Sequence, residues 1–260
     1  MTLSLGLTGI NRALLRRGLV RYRNALVVIV ASVLATALVL ALLAPAAAPD
    51  LAQPSHADRV LLLTDSWAKG DVIAVVRHGE RCDRSSAQCL GPVDGVTVRG
   101  EATVQALGAD FDQLGLTNAD IYSSLLTRAR QTADAMFAHP VEAQDWLFNC
   151  RGSMLRDALK HKVPGHNLIL VSHSECMDQL LMDMHLSTST TFGYGASLFI
   201  KTDGANEDPQ MLGYIEPKDW KNIVPVVTPN NRHGFEASQF LSWERAGSRP
   251  KSQPIPLNCA

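Results

Sequence analysis

Val72-Ile73-Ala74-Val75-Val76 runs directly into Arg77-His78-Gly79-Glu80. Five consecutive apolar residues, four of them β-branched, read as a strand covered on both faces, which is the pattern of a parallel sheet enclosed by helices. The histidine then falls where the buried strand gives way to a loop, the place where open α/β sheets carry their ligands. Asn167-Leu168-Ile169-Leu170-Val171-Ser172 repeats the arrangement, with His173 just past its end. Two strand-end histidines point to one shared site.

A neutral imidazole attacks a phosphoryl group at ordinary pH, and a phosphohistidine divides one displacement into two easier ones. A second imidazole, if protonated, binds the phosphoryl oxygens. Arginine supplies a planar fork of donors that fits those oxygens bidentately. Arg77 abuts the first histidine, and Arg81 and Arg84 follow closely. Ala119-Asp120-Ile121-Tyr122-Ser123-Ser124 reads as a further strand leading into a helix over 125–138. Ser124 is the predicted N-cap, and Arg128 lies in the first turn, where the helix dipole favours an anion.

With these segments assembled, the chain resembles the histidine phosphatase (phosphoglycerate mutase-like) superfamily. Arg77-His78-Gly79 matches its first signature, and Ser124, Arg128, Ala129, Thr132 and Ala133 match its second. His173, after a later strand, matches its third. The stretch Arg77-His78-Gly79-Glu80-Arg81-Cys82-Asp83-Arg84-Ser85 with Cys89, followed by Gly95-Val96-Thr97-Val98-Arg99-Gly100, is similar to a bacterial envelope branch of that superfamily that acts on lipopolysaccharide core sugar phosphates. The resemblance covers residues 70–200.

It implies His78 as the nucleophile, with Arg77, Arg128 and His173 forming the phosphate pocket and Arg84 and Arg81 joining them. Where many members carry a glutamic acid as general acid, Asp145-Trp146-Leu147-Phe148-Asn149 places an asparagine. An amide cannot protonate a leaving oxygen, so the acid passes to Glu175, two residues beyond His173, or to Asp145. Either carboxyl would have to hold a proton near neutral pH. The alternative role for Glu175 is a first-turn acid of the helix over 175–185 that only complements the dipole.

Residues 1–24 carry Arg12, Arg16, Arg17, Arg21 and Arg23 and no acid, and 25–44 run without a charge. Twenty such residues suffice to cross a bilayer, and the stretch exceeds the usual apolar core of a secretory signal. The basic flank stays cytoplasmic. The expected arrangement is a basic leader (1–24), a signal anchor in the inner membrane (25–44), a linker (45–57), a periplasmic histidine phosphatase domain (58–215) and a Pro-rich wrapping tail (216–260). Ala46-Ala47-Ala48 supplies a cleavage site for the alternative, a protein secreted to the periplasm.

Without the five leader arginines, 19 basic residues face 25 acidic ones, a formal charge of about −6. That balance excludes nucleic acid as a partner, which would call for a basic face. The expected partner is a small phosphorylated substrate or a phosphorylated lipid headgroup. The sequence does not fix an oligomeric state.

The cysteines fit an oxidising compartment. The proposed pairs are Cys82 with Cys89 and Cys150 with Cys176, one of three pairings that four cysteines allow, with Cys259 left over. A short-loop bridge adds about 2 to 3 kcal/mol. No Cys-x-x-Cys or His-x-x-x-His pair signals a metal, and Gly193-x-Gly195 lacks the third glycine of a dinucleotide loop. Neither metal nor organic cofactor is expected, because histidines and arginines supply nucleophile and counter-charge.

Alternating strands (72–76, 119–123, 168–172, 196–201, 211–215) and helices (about 100–114, 125–138, 151–162, 175–185) predict a three-layer α/β sandwich with a mostly parallel or mixed central sheet. The last 45 residues hold six of the 13 prolines, and His233 there reads as an exposed turn residue. The leading function is phosphomonoester hydrolysis through phosphohistidine. Alternatives are a phosphotransferase or mutase, and a catalytically weak phosphate-ligand-binding protein, which Asn149 favours.

Overall fold

The computed structural model describes residues 12–202 and 208–227. The chain divides into two units, residues 1–46 and 47–260.

Among the described residues, the first unit contains one helix, α1 (Arg12–Leu43). Its segment Tyr22–Leu43 spans 22 residues and contains an 18-residue stretch with a mean hydropathy of 3.0. At 1.5 Å per residue it is about 33 Å long, enough for a bilayer's hydrocarbon core.

The second unit is built on a six-stranded sheet in the order β3-β2-β4-β1-β5-β6. The strands are β1 (Val72–Arg77), β2 (Ala119–Ser124), β3 (Glu142–Gln144), β4 (Asn167–Ser172), β5 (Ser197–Lys201) and β6 (Gln210–Ile215). β1 to β4 are mutually parallel, while β5 runs antiparallel to β1 and β6 antiparallel to β5. The helices are α2 (Ala57–Lys69), α3 (Val98–Leu114), α4 (Thr127–Phe137), α5 (Met154–His161), α6 (Ser174–Asp183) and α7 (Trp220–Val227).

Strand alternation divides the core in two. Val72, Ala74, Val76, Ile169 and Val171 face one cluster with Val60, Leu63 and Trp67 of α2, Leu107 and Phe111 of α3, Ala133 of α4 and Trp220 of α7. Ile73, Val75, Leu168 and Leu170 face the other, with Met154 of α5 and Cys176, Met177, Leu180 and Leu181 of α6. The central strands β1 and β4 are thus apolar on both faces because each face meets a helical layer. The three-layer mixed α/β reading holds.

Several expectations change. Helix α2 and the short β3 were not read from the sequence. The stretch expected as a linker contributes to the core: Ala48 and Leu51 are buried, and Leu51 N–H donates to Tyr214 O at 2.9 Å. The stretch expected as a tail begins as core, with Trp220 and Ile223 buried. Pro217 starts a turn that leads into α7, and its fixed φ suits a first helical position. His233, Cys259 and the rest of 228–260 lie outside the described residues.

Candidate active site

Strands β1 and β4 pair in parallel with Val76 opposite Val171 and Arg77 opposite Ser172. Continued by one residue, that register sets His78 opposite His173, and the chain holds it there through His78 N–H donating to Ser172 O at 2.9 Å. The ring centroids are 5.2 Å apart, and both rings are buried.

Each ring is fixed by one nitrogen. His78 Nδ1 lies 2.8 Å from Gly79 O, which can only accept, so Nδ1 carries the hydrogen and Nε2 keeps its lone pair. Arg128 Nε donates to that Nε2 at 3.2 Å. Thr132, one turn along α4, accepts from Gly79 N–H and donates to Arg128 O, at 2.8 and 2.7 Å. The helix thereby locks the loop after β1 and the arginine to each other. His173 Nε2 lies 2.8 Å from Ser124 Oγ, and its Nδ1 is buried without a partner.

Arg77 reaches the carbonyl of Phe192, and its guanidinium carbon lies 4.3 Å over the Tyr194 ring. Its Nε is buried and unpaired. Arg81 is held by Asp83, with Nε to Oδ1 at 2.8 Å. Its charge acts on His173 and Arg128. Arg84 is exposed and acts on Asp83.

Burial pushes the His78 imidazole down to about 3, opposed by the Gly79 carbonyl and reinforced by His173, Arg128 and Arg77. Burial likewise pushes His173 down to about 4, with Arg128 adding to it and Glu175 opposing. Both rings are therefore neutral at pH 7. This corrects the expectation of a protonated second imidazole for the ligand-free pocket: the arginines already supply the positive charge. Between pH 6.5 and about 4 the unfolded chain takes up protons that the folded one refuses. Stability should therefore fall as pH drops through that window, by up to about 1.4 kcal/mol per pH unit for each histidine. Chemical denaturation of the wild type and of a His78→Asn/His173→Gln double variant checks this. The variant should show a shallower decline.

Glu175 is exposed in the first turn of α6. Burial favours its protonated form but is outweighed by its own amide, the Ser174 hydroxyl, His173 and Arg128, so its carboxyl lies below the usual range. Asp145 Oδ2 accepts from Asn149 Nδ2 at 2.8 Å, so these two form a closed local contact. Ser124 is not the N-cap of α4. Leu126 holds that position, and the Ser124 hydroxyl turns to His173 instead.

Cys82 is bonded to Cys89 and Cys150 to Cys176, with Cα separations of 5.4 and 5.6 Å. The first bridge closes the loop 82–89, which starts directly after Arg81. The second ties the segment after β3 to α6. Glu80, just after the Arg-His-Gly run, accepts from Arg99 Nε and Thr97 Oγ1 at 2.7 and 2.8 Å. Arg99, helped by Thr97 and Ser85, draws its carboxyl down to about 2 against a small burial effect. It braces the loop and stays ionised.

Sequence reasoning missed several neighbours of the histidines. Thr132 was visible only as a motif match, and Tyr194 lay in a glycine turn with no periodic signal. Phe148, whose ring stands edge-on to His173 at 6.0 Å, was hidden beside Asn149. Asp178, one turn past Ser174, feels Glu175 and Arg77, and burial raises its carboxyl.

The three-layer α/β domain thus gathers two neutral imidazoles and three arginines beyond the carboxyl ends of its parallel strands. Residues 73–148 match the histidine phosphatase superfamily (branch 1). The chain is 32% identical over 120 residues to the lipopolysaccharide core heptose(II)-phosphate phosphatase of Escherichia coli O9:H4 (strain HS). The match to the protein of that name from Escherichia coli O1:K1 / APEC has the same extent. The aligned part is 45% of this chain and 60% of each relative. Among solved structures, the protein histidine phosphatase SixA complexed with tungstate aligns at 16% identity and a TM-score of 0.45, covering 57% of this chain and 98% of the other. A phosphoserine phosphatase mutant from Entamoeba histolytica aligns at 14% identity and 0.45, covering 57% and 98%.

Proposed function

We propose that the protein is a phosphomonoester hydrolase that works through a phosphohistidine on His78, at the periplasmic side of the inner membrane, on envelope sugar phosphates. The observation that carries this reading is the His78 ring: its hydrogen is committed to Gly79 O, and its Nε2 lone pair points at the Arg128 guanidinium. A phosphoryl group drawn in by Arg128 meets a nucleophile already in its reactive tautomer.

Arg77 Nε and His173 Nδ1, both buried and unpaired, receive phosphoryl oxygens together with Arg128 and Arg81. His78 Nε2 forms the N–P bond as the P–O bond to the alcohol breaks, and Glu175 delivers a proton to the departing oxygen. Water then attacks phosphorus, the N–P bond breaks, and the water proton returns to Glu175. The arriving phosphate dianion raises the Glu175 carboxyl, since a like charge favours the protonated form. The helix Tyr22–Leu43 supports a membrane anchor with the basic leader in the cytoplasm. The similarity to heptose(II)-phosphate phosphatases supports a sugar phosphate as the substrate.

The test is phosphate release by the full chain in detergent from para-nitrophenyl phosphate and from an alkyl phosphate. Glu175→Gln should lose about 10²-fold or more on the alkyl ester and far less on the aryl ester, whose leaving group needs little protonation. Equal losses on both would remove Glu175 from the acid role. No release from either ester and no phosphoenzyme would favour the phosphate-binding alternative.

A further inference from the structure

Four rings line the pocket in sequence: Tyr194, His78, His173 and Phe148. Tyr194 lies 5.7 Å from His78, His78 lies 5.2 Å from His173, and Phe148 lies 6.0 Å from His173. The inner pair is closed to solvent, with His78 at 2% and His173 at 3% exposure, whereas Phe148 is 50% exposed and Tyr194 is half-buried. A phosphoryl group seated on the histidines therefore leaves its alcohol portion between two aromatic walls. The Tyr194 hydroxyl makes no hydrogen bond among the described residues. Its backbone is held firmly, because Gly193 N–H donates to Glu216 Oε1 at 2.9 Å and Gly195 N–H to Arg77 O at 3.0 Å. Phe148 is the more informative of the two. Half of a large apolar ring left in water beside a reactive centre stabilises nothing until something apolar covers it.

We propose that Tyr194 and Phe148 form the leaving-group subsite, and that the preferred substrates are phosphate esters of ring alcohols, which present a C–H face to these rings. This rests on the hydrolase reading above. A saturated ring carrying hydroxyls, such as a pyranose, covers Phe148 with its apolar face and offers an acceptor to the free Tyr194 hydroxyl. A short open-chain alcohol leaves both unmet.

The experiment compares cyclohexyl phosphate, a methyl hexopyranoside phosphate and isopropyl phosphate, all secondary alkyl esters of similar leaving ability, with the full-length chain in detergent. For the wild type, kcat/KM on the two ring esters should exceed that on isopropyl phosphate by about tenfold. Phe148→Ala should erase that advantage through KM while isopropyl phosphate changes by less than about twofold. Tyr194→Phe should raise KM for the hexopyranoside ester alone. Equal wild-type rates on all three esters, or a uniform fall across them in both variants, would overturn the subsite while leaving the hydrolase intact. Absence of turnover on every ester together with absence of a phosphoenzyme would overturn the hydrolase reading and the subsite with it.

Discussion

His78→Ala should abolish phosphate release, by at least about 10⁴-fold, and remove all acid-labile, base-stable phosphoenzyme trapped from the wild type by rapid quench. The size of the effect follows from the pocket's construction. The other histidine of the site offers no substitute: His173 uses Nε2 on Ser124, and its Nδ1 is the atom assigned above to a phosphoryl oxygen. Arg128, Arg77 and Arg81 would remain to bind phosphate, so inorganic phosphate should still protect the variant against thermal unfolding. Loss of turnover with retained protection separates a missing nucleophile from a collapsed pocket. Full activity in His78→Ala would remove the phosphohistidine route altogether.

Trp220→Ala should lower the stability of the second unit by about 3 to 5 kcal/mol, the range for deleting a fully buried large aromatic. The indole is 1% exposed and packs against Phe111 at 5.2 Å and Phe199 at 6.0 Å. Its Nε1 is buried without a hydrogen-bond partner, so Trp220→Phe keeps most of the packing and relieves that unmet donor. The phenylalanine variant should therefore sit within about 1.5 kcal/mol of the wild type. Urea denaturation of both variants checks this. A small effect in Trp220→Ala would mean that α7 is an appendage rather than core.

How far the sequence reveals this molecule depends on where each element stands in the sheet. β1 and β4 are central and covered on both faces, so their residues had to be apolar throughout, and that run is legible. The two histidines become legible with them, because the strand ends are marked. β3 is three residues long at the sheet edge and reads Glu-Ala-Gln. Nothing in its composition distinguishes it from a loop. α7 was obscured by the prolines around it, although Pro217 and Pro225 merely bound and punctuate a single short helix. Arginines are legible as a group but not individually. Arg81 and Arg84 are three residues apart in the same loop, and only the fold shows that it is Arg81, held by Asp83, whose charge reaches His173 and Arg128. The cysteine pairs proposed from spacing are those the structure contains. Tyr194 and Phe148 carry no sequence signal for their placement, since both sit in irregular segments whose paths are set by distant contacts: Glu216 for the first, and the Cys150–Cys176 bridge nearby for the second.

The order of strands has a consequence for timing. β4 lies between β1 and β2, although it is made after both. Until residues 167–172 have emerged and slotted into that gap, β1 and β2 share no edge. His173 is then not yet present. The two-histidine site is thus completed only when β4 takes its place in the sheet, after β1 and β2 have been made.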